Sequence, residues 1–352
     1  PKGVINTQRM ICSNQQMLCE AFPFLAEEPP VLLDWLPWHH TFGGNHNLGL
    51  VLYNGGTLYM DDGRPVAGRY AESLRNLAEI ATHIHFNVPL GFTELVQALK
   101  TDAGLRRIFF SRLRMMFYSA AGLPQHIWDE LDALALAERG ERIPMITGLG
   151  ATETAPFALC VREDFSESGA VGLPVPGVEL KLAPVGDKME ARVRGPSITP
   201  GYWRDPIATA AAFDAEGWYR FGDALVPLDP ADLHTGFRFD GRISEDFKLA
   251  SGTWVSVGPL RTRLVAALAP FVKDAVIAAP DRDMLTAILL PEPEAIAAIV
   301  PAGEDAATHR GLQALLHDKL RDLAATASAS SQRIARATLL PEPLSIEAGE
   351  LT

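Results

Sequence analysis

The sequence predicts an α/β fold with a large part that contains mostly parallel sheets and a smaller α+β part. Three observations support this fold class. Helical and strand patterns alternate between residues 70 and 147, which favours a parallel sheet with crossover helices. Residues 172–203 carry short strand patterns separated by Pro and Gly, which are typical of a distorted β-barrel. After Arg242 a second, shorter set of strands and helices begins.

The elements of the large part follow from the spacing of apolar residues. Helices are predicted where apolar residues recur at helical spacing, over residues 70–81, 92–100 and 125–139. Strands are predicted at short apolar runs, over residues 83–87, 114–119 and 143–147. The last strand leads into a predicted turn at Gly148–Gly150. Because ligands bind at the carboxyl ends of parallel strands, this turn is a candidate site.

The smaller part is predicted from the same patterns. Strands are expected over residues 254–257 and 272–279, and helices over residues 259–268 and 309–323. Residues 324–331 are small and polar, which predicts a surface loop.

Composition and charge describe a globular protein and disfavour several kinds of partner. The 352 residues are 47% hydrophobic and 21% charged, and the formal net charge is −12. A negative chain is a poor partner for nucleic acid or an anionic membrane, and no apolar run is long enough to span a bilayer. Cys12, Cys19 and Cys160 lack the spacing of a disulfide framework, so we expect a reducing, cytoplasmic environment.

Three short stretches, in a fixed order, carry the candidate chemistry. Residues 147–153 supply a glycine turn followed by a hydroxyl and a carboxylate, and residues 217–223 place a carboxylate after a tight turn. Residues 240–252 supply an Arg and a Lys on one short segment. A nucleoside triphosphate needs this combination: close backbone approach, an oxygen ligand for Mg²⁺, an acceptor for ribose hydroxyls, and cations for phosphate. Each stretch alone is a weak signal, and the set is a strong one.

The order and the amino-acid sequences of these stretches resemble those of the adenylate-forming superfamily of AMP-dependent synthetases and ligases. This superfamily includes acyl-CoA synthetases, aryl-CoA ligases and luciferases. Residues 1–4 are similar to the tail of its phosphate loop, residues 36–43 to its Leu-Pro-x-x-His-x-x-Gly segment, and residues 119–124 to its small-residue loop against adenine. The resemblance runs along the whole chain. Residues 86–89, 246–249 and 347–352 are most similar to feruloyl-CoA synthetases.

The resemblance implies a two-domain enzyme with two reactions at one site. Residues 1–243 would form part of the large adenylate-binding domain, and residues 244–352 the small mobile α+β domain, with Ser244 at the hinge. The enzyme would use ATP, Mg²⁺ and CoA to activate a carboxylic acid as acyl-AMP and transfer it to CoA. The implied acid is a hydroxycinnamate such as ferulate. The alternatives are a benzoate or medium-chain fatty acid, or a nucleotide-binding module without turnover.

The resemblance also assigns phosphate and ribose contacts residue by residue. Glu153 is expected to bind Mg²⁺ and Thr152 to hydrogen-bond phosphate; the alternative is that both occupy the first turn of a helix as capping residues. Asp223 would accept hydrogen bonds from both ribose hydroxyls, and Arg242 would support the ribose. Their alternatives are an ordinary turn Asp and a surface Arg.

Further roles implied by the resemblance concern phosphate, adenine and thioester formation. Lys2 would meet the β- and γ-phosphates, and Lys248 would take part in catalysis in the thioester-forming arrangement or remain a solvated lysine. The adenine and phosphate contacts would come from small residues and backbone, namely Ala121, Gly122, Gly148, Leu149, Gly150 and Ala151.

The acyl pocket is expected after the histidine segment. His40 resembles a family histidine whose side chain gates the acyl tunnel or stacks near the adenylate; the alternative is a core histidine satisfied by backbone. Phe42, Gly43, Asn45 and His46 would begin the pocket wall. Asn45 or His46 could hydrogen-bond a phenolic or methoxy oxygen, although both also suit the start of a helix.

The resemblance further implies that the sequence is an internal fragment. The family's Ser/Thr/Gly-rich phosphate loop would precede Pro1, and the lysine that serves adenylation would follow Thr352. We therefore expect weak or no adenylation from these residues alone. The sequence leaves the oligomeric state open, with a homodimer allowed.

Overall fold

The computed structural model describes residues 2–65, 68–119, 122–162, 169–301 and 303–341. The chain divides into two compact units. The first unit comprises the residues through Phe221 together with Leu225–Phe239, and the second comprises Gly222–Ala224 and the residues from Asp240 onward. The roles predicted for residues 1–243 and 244–352 stay predictions. No helix within these described ranges is long and apolar enough to cross a membrane.

The first unit alternates helices and strands along most of its length. Its helices are α1 Gln8–Ala21, α2 Gly49–Tyr53, α3 Tyr70–Leu77, α4 Pro89–Thr101, α5 Ala103–Ser111, α6 Gln125–Arg139 and α7 Pro206–Ala212. The strands that begin in it are β1 Val31–Asp34, β2 Thr57–Met60, β3 Ile84–Asn87, β4 Met115–Tyr118, β5 Met145–Ile146, β6 Gly148–Gly150, β7 Phe157–Cys160, β8 Ala170–Pro174, β9 Glu179–Val185, β10 Lys188–Arg194, β11 Tyr219–Pro227 and β12 Phe237–Arg242. The predicted α/β class and its βα alternation are confirmed.

The sheet β3–β4–β5 is parallel and carries apolar side chains on both faces. Phe86 and Phe117 belong to one buried cluster, while His85 and Met116 alternate with them on the opposite face. Helices α4, α5 and α6 cover that opposite face with buried Phe92, Leu99, Phe109 and Leu131. Strands buried on both faces are typical of parallel sheets with crossover helices. The carboxyl ends of β3 and β4 are therefore positioned to line a ligand site.

The strand-rich segment forms one seven-stranded sheet in the order β6-β7-β8-β12-β11-β10-β9. Its antiparallel pairs include β6 with β7, β7 with β8, β8 with β12, and β9 with β10. A barrel closes only when the two edge strands hydrogen-bond to each other. Across the described ranges β6 and β9 stay at opposite edges, so the predicted barrel is an open sheet. Strand β6 ends after three residues, where the chain turns at Thr152–Thr154.

The second unit is a small α+β structure. Its elements are β13 Phe247–Lys248, β14 Trp254–Val255, α8 Val257–Leu268, β15 Val272–Ala278, β16 Leu285–Pro291, α9 Pro293–Ala297, α10 Arg310–Ala325 and β17 Ile334–Leu339. Strand β15 is antiparallel to β16, and β16 is parallel to β17. Leu264, Leu285 and Leu312 lie in the core of this unit.

Two local predictions for the second unit shift by a few residues. Val257 was expected to end a strand, but it begins α8, because Asp246 Oδ1 accepts a hydrogen bond from the Val257 amide at 2.9 Å and occupies one of its free first-turn donors. The predicted loop at 324–331 begins later, since α10 continues to Ala325.

Candidate functional site

A segment at Thr199–Trp203 joins two of the stretches singled out in the sequence. The Thr199 amide donates to the Glu153 carbonyl at 2.8 Å, and the Tyr202 hydroxyl donates to Glu153 Oε1 at 2.7 Å. On its other side, the Trp203 amide donates to the Gly3 carbonyl at 2.7 Å. The segment therefore fixes the Glu153 turn and the N-terminal residues against one another.

Lys2 and Glu153 both contact the side chain of Tyr202. The Lys2 ammonium lies 4.9 Å from the centroid of the Tyr202 ring, a cation–π contact, while the hydroxyl holds the carboxylate. Burial raises the pKa of Tyr202 to about 12, and the adjacent Glu153 carboxylate adds to the effect. Tyr202 consequently remains protonated at neutral pH and donates to Glu153. The predicted phosphate cation and the predicted Mg²⁺ ligand are thus positioned by one residue.

Tyr202 did not emerge from the sequence as a site residue. It follows Gly201, which has φ +142°, at the end of the Pro- and Gly-punctuated region. A Cβ at Gly201 would crowd the Thr209 side chain, so the segment bends at a position that favours glycine. A glycine followed by an aromatic hydroxyl at the end of a strand region is the signal that could have identified Tyr202.

The Thr152–Glu153 pair lies in a single 3₁₀ turn, Thr152–Thr154. The side chain that closes this turn is that of Thr154, whose Oγ1 accepts from the Ala151 amide at 2.9 Å. Thr152 and Glu153 therefore do lie in the first turn of a short helix, but the capping side chain is that of Thr154. Thr152 is exposed and Glu153 is half-buried. The Thr152 side chain is open to solvent, and one carboxylate oxygen of Glu153 is held by Tyr202.

Asn14 on α1 anchors the strand that follows this turn. Its side chain is fully buried, its Nδ2 donates to the Phe157 carbonyl at 2.8 Å, and its Oδ1 accepts from the Phe157 amide at 3.3 Å. Two backbone groups at the start of β7 are thus satisfied by one amide. Asn14 was not predicted, because it contacts a residue 143 positions away.

The predicted Gly148–Gly150 turn is in fact strand β6, paired with β7. A Cβ at Gly150 would overlap the Pro156 carbonyl oxygen, and a Cβ at Gly148 would overlap that of Leu159. The glycines are therefore required by the close approach of β7, not by a turn conformation. Leu149 and Ala151 lie beside them and are partly buried. Gly122 is exposed, and Ala121 lies outside the described residues.

The histidine segment continues into a seven-residue π-helix, Phe42–Leu48. His40 is exposed, and its Nδ1 accepts from the Phe42 amide at 3.2 Å, which places it at the start of this helix. A Cβ at Gly43 would lie 2.6 Å from the Pro37 carbonyl oxygen, so glycine lets the helix pack on the preceding chain. Asn45 Nδ2 donates to Asn6 Oδ1 at 3.1 Å and to Thr41 Oγ1 at 3.3 Å. Its amide nitrogen is engaged within the protein.

His46 lies inside the helix and is almost completely buried, at 1% exposure. Four phenylalanine rings surround it at centroid distances of 5.3 to 5.8 Å, those of Phe42, Phe86, Phe117 and Phe157. Burial lowers the pKa of His46 to about 4, so its imidazole is neutral at pH 7. Because the helix begins at Phe42, a helix-start position for His46 is wrong.

Asp223 and Arg242 form an ion pair in the second unit. The distance from Arg242 Nε to Asp223 Oδ1 is 3.3 Å, and Asp223 is 5% exposed whereas the Arg242 side chain is 63% exposed. Asp223 Oδ1 has no hydrogen-bond partner within the described ranges. Burial raises the pKa of Asp223 to about 6, an effect that Arg242 opposes and Glu245 reinforces. Asp223 lies in β11, so the alternative of an ordinary turn Asp is wrong.

Lys248 and Ser244 lie close to one another in sequence but in different local structures. Lys248 is exposed on β13, and its ammonium is 5.1 Å from the Trp254 ring centroid on β14. Ser244 is exposed within the 3₁₀ turn Ile243–Glu245. Their predicted roles, catalysis for Lys248 and the hinge for Ser244, stay predictions.

A single carboxylate at Glu153 suits Mg²⁺, which is usually held by one or two carboxylates together with substrate phosphates. Among the side chains that the structure describes, no group of three or more His, Cys, Asp or Glu residues is arranged to hold a metal ion. The donor set therefore fits a cation that arrives with a nucleotide.

Several ligases of known activity are similar in sequence. The anthranilate–CoA ligase of Pseudomonas aeruginosa is 30% identical over 266 residues, which cover 72% of this chain and 46% of that protein. The mitochondrial malonate–CoA ligase of Homo sapiens is 26% identical over 320 residues, with coverages of 80% and 52%. The long-chain-fatty-acid–CoA ligase of Yersinia pestis is 29% identical over 294 residues, with coverages of 80% and 48%. The chain spans about half the length of these relatives.

Solved structures share the fold. An anthranilate CoA ligase in complex with anthranoyl-AMP has a TM-score of 0.72 at 21% identity, covering 97% of this chain and 61% of that one. A malonyl-CoA ligase with methylmalonyl-CoA and AMP bound has a TM-score of 0.56 at 28% identity, with coverages of 98% and 69%. These likenesses confirm the predicted adenylate-forming fold. A family model described as AMP-binding enzyme matches residues 1–203, more than half of the sequence, and the chain therefore belongs to the AMP-binding enzyme family.

Proposed function

We propose that this chain is part of an ATP-dependent acid–thiol ligase that activates an aryl carboxylate as acyl-AMP and transfers it to CoA. The observation that carries the proposal is the arrangement of Lys2 and Glu153 on Tyr202, in a chain of the AMP-binding family. A cation and a carboxylate held on one rigid side chain suit a nucleotide's phosphates and the Mg²⁺ that accompanies them. The proposed substrates are a carboxylic acid, ATP and CoA.

The first reaction would form the acyl-adenylate. A carboxylate oxygen attacks the α-phosphorus of ATP, and the bond to the pyrophosphate oxygen breaks. Negative charge accumulates during this step, so electrostatic positioning is the main contribution that the protein makes. Glu153 would hold Mg²⁺, which neutralises phosphate charge when bound, while Thr152 donates to phosphate and Lys2 supplies a point charge. Tyr202 keeps Glu153 in place by donating its hydroxyl hydrogen.

The second reaction would form the thioester. The sulfur of CoA attacks the acyl carbon, the carbon–oxygen bond to AMP breaks, and AMP leaves. Asp223 is the proposed acceptor for ribose hydroxyls, with Arg242 as its charged neighbour. Lys248 is proposed to act in this reaction, and Ser244 to absorb the rotation between the two reactions. Asp223 Oδ1 is buried, and within the described ranges it has the Arg242 ion pair but no hydrogen bond, so a ribose hydroxyl could donate to it.

The proposed acid is aromatic, with ferulate and other hydroxycinnamates preferred. The sequence similarity to feruloyl-CoA synthetases at residues 86–89 and 246–249 supports an aryl acid. The similar ligases are named for anthranilate, malonate and long-chain fatty acids, so the family alone does not select the acid.

The experiment that tests this proposal supplies the acyl-adenylate intermediate directly. The purified chain is mixed with feruloyl-AMP and CoA, and feruloyl-CoA and AMP are measured by chromatography against a protein-free control. Equimolar release of thioester and AMP above the control rate would support the proposal, and Asp223→Ala should slow it. Binding of AMP without any thioester would indicate a nucleotide-binding module instead. Failure to bind AMP at all would overturn the assignment.

A further inference from the structure

A groove in the second unit lies between helix α10 and strand β17. Its volume is about 680 Å³, within the range of roughly 300–1,000 Å³ in which proteins bind ligands. Every residue of β17, Ile334–Leu339, lines this groove. Successive side chains of a strand point to opposite faces of a sheet, so consecutive residues share one groove only where it runs along the edge of the backbone. The groove therefore follows the outer edge of β17.

The outer edge of β17 carries backbone groups without a neighbouring strand. Among the described residues β17 pairs with β16 alone and is an edge strand of its sheet. The Leu340 amide donates to the Leu289 carbonyl on β16 at 2.9 Å. Because the backbone groups of successive residues in a strand alternate in direction, Leu339 and Ala337 turn their N–H and C=O groups away from β16. Such an edge can accept a further strand.

Helix α10 forms the opposite wall with one stripe of side chains. Leu316, Leu320 and Ala324 recur at intervals of four residues, which places them on one face of the helix. The stripe from Gln313 to Ala324 is about 16 Å long, at about 1.5 Å per residue. That length matches about five residues of an extended chain at about 3.3 Å each.

The rim of the groove is positively charged, whereas the formal net charge of the chain is −12. Arg333 and Arg336 line the groove and are exposed, and neither has an ion pair among the described residues. Arg321, the third arginine of the lining, is balanced by Asp318 and Asp322 at 3.1 and 3.6 Å. Two unpaired arginines on an acidic protein favour an acidic partner.

We propose that this groove binds an extended acidic peptide of a partner protein, which adds to β17 as a further strand of the sheet. Hydrogen bonds to the backbone of Ala337 and Leu339 hold the peptide. Leu339 is buried on the helix side of the sheet, and Arg336, three residues earlier, lies on the other face. The peptide's side chains therefore alternate, with apolar residues against α10 and acidic residues facing Arg336.

The observations favour a peptide over two other occupants. A second copy of this chain would bring Arg333 and Arg336 against the same two arginines, and like charges repel. A small amphipathic acid would use the apolar wall but leave the backbone groups of β17 unpaired. The groove lies wholly within the second unit, and its occupancy is independent of the ligase reaction.

Calorimetry with synthetic peptides tests the proposal. The probe is a peptide of about seven residues that alternates valine and glutamate and has blocked ends, titrated into the purified chain. A peptide with lysine in place of glutamate should bind about fivefold to tenfold more weakly, because it meets the same arginines. Two further probes carry N-methyl groups on all valine nitrogens or on all glutamate nitrogens. An added strand pairs through one edge only, so one of these probes should lose binding and the other should keep it.

Arg336→Glu places a carboxylate where the proposal requires a cation. It should weaken binding of the glutamate peptide about tenfold and strengthen binding of the lysine peptide. Arg310→Glu is the matched control, since Arg310 is also exposed and begins α10 outside the groove lining, and the substitution changes the net charge equally. Hydrogen exchange provides a second readout, in which bound peptide should protect the amides of Ala337 and Leu339.

Protection at β17, with a preference for glutamate that Arg336→Glu reverses and Arg310→Glu retains, supports the proposal. Absence of peptide binding, equal effects of the two N-methylated probes, or protection confined to other strands would overturn it. Octanoate binding in the groove in place of every peptide would also overturn it, because the site would then take a small molecule. Peptide binding that appears only in a chain ending at Pro341 would do the same, because the occupant would then be this chain itself.

Discussion

Asn in place of Asp223 should move stability and nucleotide affinity in opposite directions. Asp223 is 5% exposed, and burial raises its pKa to about 6 from the ordinary 3.8. A native state that holds its proton more tightly than the unfolded chain loses stability as pH rises through that interval. Two pKa units correspond to about 3 kcal/mol of unfolding free energy at pH 7, which Asp223→Asn should largely recover.

The same substitution should weaken nucleotide binding. A carboxylate can accept from both ribose hydroxyls, and a hydrogen bond to a charged group contributes about 1.5–3 kcal/mol. Asn retains one acceptor oxygen without charge, so AMP affinity should fall about 10- to 100-fold. Wild type should discriminate against 2′-deoxy-AMP, and Asp223→Asn should discriminate much less. Adenosine affinity should also fall as pH drops below about 6, because protonation removes the charge.

Urea unfolding at pH 7 and calorimetry with AMP and 2′-deoxy-AMP measure the two effects on the same samples. Glu245→Gln is the control, since Glu245 acts on Asp223 only through its charge and no ribose contact is proposed for it. A variant of Asp223 that is less stable and binds both nucleotides like wild type would contradict the ribose role of Asp223. In that case Asp223 would be a structural partner of Arg242.

Three further substitutions test the first unit. Tyr202→Phe should weaken the binding of Mg·ATP, measured by calorimetry, about fivefold to tenfold and leave AMP binding unchanged, because it removes the hydroxyl that holds Glu153. The exposed Tyr53→Phe is the control. Equal losses of ATP and AMP affinity would contradict the positioning role of Tyr202. Gly150→Ala should lower the urea midpoint and AMP affinity together, since its Cβ overlaps the Pro156 carbonyl; an unchanged midpoint would contradict the close approach of β7. Asn14→Leu should cost about 2–4 kcal/mol in urea unfolding, because two backbone groups of β7 lose their partner; a loss below about 0.5 kcal/mol would show that water replaces the amide.

Local periodicity was sufficient for much of the fold. Helix α6 has the predicted bounds 125–139, and the predicted strands at residues 83–87 and 114–119 correspond to β3 and β4. In these segments the buried pattern is regular and neighbouring residues share one environment. Glycine-rich β6 was expected to be a turn, because its pairing with β7 depends on residues that come later in the chain. Whether the two edge strands of a sheet pair and close it into a barrel also depends on residues far apart in sequence, as for β6 and β9.

The residues of the candidate site were also predictable only where local sequence is sufficient. The resemblance singled out Lys2, Glu153 and Asp223, but it gave no indication of Tyr202 or Asn14, which act through contacts across long stretches of sequence. The sequence likewise did not indicate which polar side chains are buried. Nothing in the residue types of Asp34, Asn47 and His46 reveals that the three form one hydrogen-bonded chain without solvent. Functional residues that work through tertiary contacts require the structure.

Thioester formation from free acids decides whether the protein is a ligase or a nucleotide-binding module. The full-length gene product is incubated with ATP, Mg²⁺ and CoA and with ferulate, benzoate or octanoate, and acyl-CoA and AMP are quantified by mass spectrometry. The account predicts equal amounts of thioester and AMP, with ferulate preferred over both other acids. If the chain binds AMP but makes no thioester from these acids or from supplied feruloyl-AMP with CoA, the ligase proposal is contradicted.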